Sequence, residues 1–297
     1  MTQQQRQDLD KLLRNGPLDL SGDLAQQRAI FHEVVASAPL PGDVSAQPCQ
    51  LGGVPVVLVH TPDIDPEHVI LYFHGGAYVL GSASDSVGLT ADIARRARVR
   101  AVSVDYRLAP EHPFPAAVED AVAAYRALLG QGVAALRIAF VGESAGGGLV
   151  AATLVALKDA GLPQPASAAI FSPWADLSVT GASATGKAAL DAILTPEALR
   201  ARARDYLGEG DPATPLASPI FADLTGLPPL LIQVGSHEIL LDDAVRLTAR
   251  AAEHDVPVTL QVWPEAPHVF QAFAAILDDA DHALNSAAAF ITSHWTT

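Results

Sequence analysis

The chain has 297 residues, of which 49% are hydrophobic, enough to bury a large core in one domain that carries a modest insertion. Its 33 acidic residues against 18 basic ones give a net charge of -15, which repels phosphate backbones and anionic lipid head groups. Nucleic acid and acidic membranes are therefore poor candidate partners. The single cysteine, Cys49, excludes an intrachain disulfide and fits a reducing compartment.

The N-terminal residues 1–15 are polar and mixed in charge. They lack the basic start and apolar stretch of a secretory signal. No apolar run in the chain approaches the roughly 20 residues that cross a bilayer. We therefore expect a cytoplasmic protein with no membrane insertion.

Residues 1–45 have the spacing of helices and contain no strand-like run. Two apolar faces are visible, formed by Leu9, Leu12 and Leu13 and by Leu24, Phe31, Val34 and Val35. The pattern ends near Pro39 and Pro41, as expected of residues that cannot continue a helix. This segment is predicted to be helical.

From Val54 onward, short apolar runs alternate with helical stretches. The runs are Val54 to Val59, Val69 to Phe73, Ala101 to Val104, Ile138 to Val141, Ala168 to Phe171, Leu230 to Val234 and Val258 to Val262. The helical stretches are Thr90 to Arg98, Ala116 to Leu129, Gly146 to Asp159, Asp242 to His254 and Asp279 to His294. Each stretch is long enough for a crossover between parallel strands, so the pattern predicts an α/β fold with a mostly parallel central sheet flanked by helices.

The alternation breaks once, between Val179 and Ala217, where a helix begins at Thr195-Pro196-Glu197 and no strand-like run is found. We predict an N-terminal cap segment, a main α/β domain in two pieces and a helical insertion that contributes to the cap. The N-terminal cap segment is residues 1–45, the α/β domain is residues 46–178 and 218–297, and the insertion is residues 179–217. Such a cap would cover the carboxyl ends of the strands, where ligands bind in open α/β sheets.

The segment Gly142-Glu143-Ser144-Ala145-Gly146 matches G-x-S-x-G and lies between a strand-like run and a helix. A serine on so sharp a turn brings the neighbouring backbone so close that a Cβ at either flanking glycine would clash. A phosphate-binding glycine loop is the alternative, but neither of its spacings is present and no lysine lies nearby. The motif therefore predicts Ser144 as a nucleophile in an α/β-hydrolase fold.

A second glycine motif, His74-Gly75-Gly76-Ala77, follows the apolar run that ends at Phe73. Consecutive glycines at a strand end let backbone N–H groups point into a cavity. Together with the N–H of Ala145, those of Gly75 and Gly76 are predicted to form an oxyanion hole. His74 precedes the nucleophile in the chain and is expected to orient this loop rather than to act as a base.

The base and the acid are selected by the chain order serine, acid, histidine. His268 follows the last strand-like run directly and is the predicted base, whereas His254, His282 and His294 belong to helices. Glu238 lies in the loop after the preceding run and is the predicted acid. Asp242 remains the alternative, although acids at the start of a helix are favoured by its dipole whatever their function.

Four motifs together resemble those of the bacterial hormone-sensitive-lipase-like esterases, over roughly residues 50–295. They are H-G-G-A at 74–77, D-Y-R-L-A-P-E-H-P-F-P-A at 105–116, G-E-S-A-G at 142–146 and P-E-A-P-H at 264–268. The resemblance implies a carboxylesterase for small-molecule esters with short acyl chains, a helical cap, and often a homodimer through the last strand and helix. No cofactor or metal is expected, since no metal-binding motif is present.

The chain departs from the family pattern at two positions. Ala77 replaces a third glycine, and Glu238 stands where the family commonly has aspartate. Because glutamate is one methylene longer, its loop must stand further from His268 to keep the same hydrogen bond.

The predicted base, His268, must be neutral to accept a proton. Esterase activity should therefore fall below about pH 6, near the free histidine pKa of roughly 6.5.

The second motif and four aromatic residues have expected roles outside the catalytic triad. Residues of the second motif are expected to hold the turn beneath the site: Asp105, Tyr106, Arg107 and Glu111. Aromatic residues at strand ends or near the cap are candidates for an acyl or alcohol pocket, with core packing as the alternative: Tyr78, Trp174, Phe221 and Phe270.

The rival functions are of two kinds. One is a lactone, amide or peptide hydrolase with the same triad. The other is a non-catalytic ligand receptor of this fold, in which the triad is usually broken.

Overall fold

The computed structural model describes residues 3–36 and 40–295. Its helices are α1 (Gln3–Arg14), α2 (Leu24–Ala36), α3 (Val87–Ala97), α4 (Ala116–Gly130), α5 (Ala145–Asp159), α6 (Ala182–Gly186), α7 (Pro196–Leu207), α8 (Leu241–Glu253) and α9 (Asp278–Ser293). Its strands are β1 (Ser45–Leu51), β2 (Val54–His60), β3 (Asp65–Phe73), β4 (Val99–Val104), β5 (Ile138–Glu143), β6 (Ser167–Phe171), β7 (Leu230–Gly235) and β8 (Val258–Trp263). The predicted helix end near Pro39 lies outside the described residues.

The strands form one eight-stranded sheet in the order β1-β2-β4-β3-β5-β6-β7-β8. Strand β2 is antiparallel to both of its neighbours, and all pairs from β4 to β8 are parallel. The carboxyl ends of β3, β5, β6, β7 and β8 therefore meet along one edge of the sheet. The α/β-hydrolase fold expected from the sequence is confirmed.

Both faces of the sheet are buried at its central strands, such as β6 and β7, as their continuous apolar sequences predict. Side chains alternate between the faces along β3: Leu71 packs in a cluster with Leu149 of α5, while Ile70 packs on the opposite face with Ile93 of α3 and Leu284 of α9. All five of these side chains are fully buried. The two layers of helices fix the positions of the strand ends that carry the loops described below.

Each of the seven predicted apolar runs is a strand, and β1 is an additional strand that the sequence did not predict. Strand β1 is an edge strand with six exposed residues out of seven, and it contains Pro48. Among the described strands it pairs with β2 alone, across a tight turn in which Gly52 and Gly53 have φ values of +63° and +85°. An edge strand with so little burial has no apolar pattern to read.

The N-terminal helices and the insertion lie outside the sheet. Residues 179–217 contain α6 and α7, and no part of them belongs to a strand. Arg28 of α2 donates to the carbonyl of Val79 (2.8 Å) and pairs with Glu111, so the N-terminal segment contacts the loop after β3. The division into a cap and a catalytic domain stays a prediction. Every helix within residues 3–36 and 40–295 is too short or too polar to span a bilayer.

Candidate active site

The turn between β5 and α5 holds Ser144 in a strained backbone conformation. Its φ of 55° and ψ of -121° are rare for a residue with a side chain. The Ser144 carbonyl accepts hydrogen bonds from the N–H groups of Trp174 (2.9 Å) and Gly148 (3.1 Å), and its own N–H donates to the carbonyl of Phe171 (2.9 Å). These bonds hold the strained turn, which projects the serine at the edge of the sheet.

The glycines around Ser144 are required by close backbone contacts. A Cβ on Gly146 would lie 2.0 Å from the Phe73 carbonyl oxygen, and one on Gly142 would lie 2.4 Å from the Gly146 carbonyl oxygen. Both distances are far below van der Waals contact. The predicted reason for the two flanking glycines is therefore confirmed.

His268 follows β8 and lies between the serine and a carboxylate. Its Nε2 is 2.9 Å from Ser144 Oγ, and its Nδ1 is 2.7 Å from Glu238 Oε2. Burial alone would lower the pKa of His268, but the bond to Glu238 and the nearby negative charges outweigh it and raise this pKa above its ordinary value of 6.5. The ring can thus take a proton from the serine while Glu238 stabilises the resulting charge.

Glu238 is fully buried after β7 and accepts three hydrogen bonds. Besides His268, its donors are the backbone N–H of Gly235 (2.5 Å) and the hydroxyl of Ser172 (2.7 Å). Asp242 instead accepts the N–H of Ser183 in the insertion (2.8 Å). The geometry thus brings Glu238, and not Asp242, to the histidine.

Ser172 was missed by sequence reasoning, although its position offers a signal. It follows β6, which lies between β5 and β7, so its side chain belongs at the same edge as Ser144 and Glu238. Its hydroxyl donates to Glu238 and accepts the N–H of Val269, the residue after His268 (3.1 Å). It therefore links the loop of the acid to the loop of the histidine.

The loop after β3 supplies backbone donors next to Ser144. A Cβ on Gly75 would lie 3.2 Å from the Ser144 Cβ, and one on Gly76, whose φ is +112°, would lie 2.2 Å from the Leu80 carbonyl oxygen. Ala77 also has a positive φ, of 53°. Within the described ranges, the N–H groups of Gly76 and Ala77 donate to no protein acceptor.

The N–H of Gly75, which the sequence predicted to bind the oxyanion, is already bonded to a side chain of the protein. It donates to Glu143 Oε1 (2.8 Å), so it is not free to bind an oxyanion. Glu143 Oε2 accepts the hydroxyl of buried Tyr72 (2.6 Å). Burial raises the pKa of Glu143 to about 7, although both hydrogen bonds oppose the change. A side chain that the sequence left unassigned thus anchors the glycine loop.

His74 is buried, and its ring stacks on Tyr106 with centroids 4.2 Å apart. Its Nδ1 lies 2.7 Å from the Gly75 carbonyl, and the Tyr106 hydroxyl donates to the His74 carbonyl (2.7 Å). This agrees with an orienting role for His74. Arg107 pairs with Asp120 (2.9 Å); the Arg107 side chain is 42% exposed, whereas that of Asp120 is largely buried.

The four aromatic candidates for an acyl or alcohol pocket differ in burial and in what they contact. The side chains of Trp174 and Phe270 are fully buried, and Tyr78 stacks on Tyr206 of α7 with centroids 3.9 Å apart. Phe221 is 39% exposed but lines a surface groove beside α8 whose lining includes none of the triad. The burial of Trp174, Tyr78 and Phe270 agrees with the core-packing alternative, and a part of these four side chains in a substrate pocket stays a prediction.

Comparison with known proteins identifies the family. A family model described as alpha/beta hydrolase fold matches residues 70–272. A crystal structure of an esterase from the bacterial hormone-sensitive lipase family superposes with a TM-score of 0.96 at 42% identity, and all of both chains is covered. The chain belongs to the bacterial hormone-sensitive lipase family.

Two curated relatives resemble the chain in sequence. An acetyl-hydrolase of Streptomyces hygroscopicus is 49% identical over 222 residues, which are 75% of this chain and 74% of the relative. An esterase of Acinetobacter venetianus is 37% identical over 267 residues, 90% of this chain and 88% of the relative. This member of the hormone-sensitive lipase family is a carboxylic ester hydrolase.

Proposed function

We propose that the chain is a serine carboxylesterase that hydrolyses short-chain acyl esters through a Ser144–His268–Glu238 triad and an acyl-enzyme intermediate. One observation carries the proposal: His268 lies within hydrogen-bond distance of Ser144 Oγ (2.9 Å) and of Glu238 Oε2 (2.7 Å). This is the arrangement that a serine nucleophile, a base and an orienting acid require.

In the proposed acylation step, Ser144 Oγ attacks the ester carbonyl while its proton passes to His268 Nε2. Glu238 stabilises the imidazolium, which then gives the proton to the leaving alcohol as the ester C–O bond breaks. In deacylation, water loses a proton to His268 and attacks the acyl-enzyme. The proton returns to Ser144 as the acid is released, so the enzyme is restored.

We assign the oxyanion hole to the N–H groups of Gly76, Ala77 and Ala145. Gly76 and Ala77 have no acceptor among the described residues, and Ala145 is the first residue of α5, where N–H groups lack intrahelical partners. Gly75 is left out because its N–H is bonded to Glu143. The free N–H groups and the helix dipole favour negative charge on the carbonyl oxygen in the transition state.

A preference for short acyl chains is supported by the likeness to the acetyl-hydrolase of Streptomyces hygroscopicus, which is 49% identical over 222 residues. Residues 1–45 and 179–217 are proposed to form a cap over the carboxyl ends of the strands. A homodimer and a cytoplasmic location stay predictions from the sequence.

Hydrolysis of p-nitrophenyl esters of two- to twelve-carbon acids tests the proposal. The wild-type protein should cleave the short esters fastest, and Ser144→Ala should lose on the order of 10⁴ to 10⁶ in kcat. The exposed substitution Ser293→Ala is a matched control and should leave the rate unchanged. Equal activity of wild type and Ser144→Ala would refute the proposal. Inactivity on all esters, with cleavage of a lactone or an amide that depends on Ser144, would change the substrate class but keep the triad.

A further inference from the structure

Asp191 lies in the insertion, between α6 and α7, and only 6% of its surface is exposed. Its carboxylate accepts backbone N–H groups at both oxygens. Oδ1 accepts those of Ile193 and Leu194, each at 2.9 Å, and Oδ2 accepts that of Ile239, also at 2.9 Å. No cationic side chain within residues 3–36 and 40–295 forms an ion pair with it. Asp191 is thus a buried carboxylate held by backbone donors.

The bond to Ile239 connects the insertion to the triad, because Ile239 directly follows Glu238. A second contact lies beside it: the Ser183 hydroxyl donates to the Ile239 carbonyl (2.7 Å) and accepts the N–H of Asp242 (2.9 Å). The insertion therefore holds the acid loop at two points. Only the contact through Asp191 also brings a negative charge.

The proton that His268 takes from Ser144 makes this charge relevant. Three carboxyl groups interact electrostatically with the ring, each from a different element: Glu238 after β7, Asp191 in the insertion and Glu143 at the end of β5. Glu238 touches the ring and Glu143 is engaged by the glycine loop. In a buried site of low dielectric, a further carboxylate stabilises an imidazolium without direct contact.

We propose that Asp191 is a positioning residue of the triad, which fixes the Glu238 loop through the N–H of Ile239 and stabilises protonated His268 by its charge. The inference rests on the proposed esterase function. It gives the insertion a part in the chemistry besides covering the site, since a displacement of the insertion would disturb the acid and the base together.

Two substitutions separate this role from simple support of the fold. Asp191→Asn removes the charge and replaces an acceptor oxygen by a donor. Ser183→Ala removes the neighbouring contact to the same loop without a change in charge. Two quantities are measured for each protein: kcat and KM on p-nitrophenyl acetate, and the pH at which the His268 ring titrates, followed by NMR of its Nδ1 proton. The second readout needs no catalytic activity.

We expect Asp191→Asn to lower kcat by about tenfold or more with KM changed less than about threefold, because small displacements of catalytic groups are costly. His268 should titrate at a pH lower by at least about 0.5. Ser183→Ala should keep the wild-type titration of His268. If Asp191→Asn is not recovered folded, Asp191→Glu serves instead: it keeps the charge, so His268 should titrate as in wild type while kcat falls.

The inference is overturned if Asp191→Asn has the wild-type kcat and its His268 titrates at the wild-type pH. It is also overturned if Ser183→Ala changes kcat and the His268 titration as much as Asp191→Asn does. Wild-type kcat in Asp191→Glu would also overturn it. If the wild-type protein is inactive on every ester, the esterase function is refuted. If Asp191→Asn still lowers the pH at which His268 titrates, the positioning role is supported even then. The two failures are therefore distinguishable.

Discussion

Replacing Glu143 by glutamine should make the protein more stable at alkaline pH and a slower esterase at the same time. The wild-type carboxylate accepts the N–H of Gly75 and the hydroxyl of Tyr72. Glutamine keeps an acceptor for Gly75, and the Tyr72 hydroxyl can rotate to accept from the new amide. The substitution therefore removes a buried charge while it preserves the contacts.

The gain in stability follows from the pKa of Glu143. Its folded-state value of about 7 lies above the ordinary 4.5, so the folded protein binds this proton more tightly than the unfolded chain does. The resulting stability is fully present below pH 4.5 and is lost as the pH rises through 7. Between pH 5 and pH 8 the loss is on the order of 2 to 3 kcal/mol at most. Glutamine does not ionise, so the variant avoids this loss.

The loss in activity follows from the loop. The bond from Gly75 to a carboxylate is charge-assisted and about twice as strong as one to a neutral amide. Removal of a whole oxyanion donor costs about 10²- to 10³-fold in kcat. A loosened loop should cost less, about tenfold in kcat with KM within about twofold, because the donors act mainly in the transition state.

Urea unfolding at pH 5 and pH 8, together with kcat and KM on p-nitrophenyl acetate, measures both effects. Asp120→Asn is the control, since Asp120 also accepts a backbone N–H, that of Arg107 (2.9 Å), but makes no contact with the glycine loop. It should lower stability and leave kcat unchanged. A Glu143→Gln protein whose stability relative to wild type is the same at pH 5 and pH 8, with unchanged kcat, would refute the reasoning.

Three further predictions concern the loop, the acid and the base. Gly76→Ala should lower kcat at least about 100-fold in the ester assay, because its Cβ would lie 2.2 Å from the Leu80 carbonyl oxygen at a φ of +112°. Glu238→Gln should lower kcat about 10³- to 10⁴-fold, measured as initial rates, since the amide cannot stabilise the imidazolium. The pH profile of kcat/KM should have its acid limb above pH 6.5, because Glu238 raises the pKa of His268 and the charged ring cannot act as a base.

Matched changes serve as controls for these predictions. Gly53→Ala has a similar positive φ, of +85°, but its Cβ meets nothing within 4 Å, so it should retain activity. Glu265→Gln removes an exposed carboxylate near the histidine loop and should also retain it. Equal losses in test and control variants would contradict the assigned roles, and a rate flat from pH 4 to 8 would count against a histidine base.

The sheet and the nucleophile could be predicted because their signals are contiguous in the chain. Ser144 is marked by its own flanking glycines, and His268 by its place after the last apolar run. The choice of Glu238 over Asp242 required tertiary structure, since Glu238 lies only a few residues before Asp242 at the start of α8, and only the fold decides which carboxylate reaches the histidine. In the structure, Glu238 is the carboxylate that contacts His268.

The residues that the sequence did not reveal act through contacts between distant segments. Gly75 was expected to bind the oxyanion, but its N–H is engaged by Glu143, which is 68 residues away in the chain. Asp191 meets Ile239 across 48 residues. The aromatic residue Trp174 was placed at the right strand end, but the direction and burial of its side chain depend on packing that no local pattern encodes.

The most direct test of the account is covalent labelling of the nucleophile with diethyl p-nitrophenyl phosphate, followed by peptide mass spectrometry. We predict one diethylphosphoryl group per chain, attached to Ser144, with loss of esterase activity in proportion to labelling. No adduct should form on Ser144→Ala, and adduct formation should slow greatly in a His268→Ala variant. Labelling at another residue, or full activity in a fully labelled protein, would contradict the central claim that Ser144 is the nucleophile of a serine esterase.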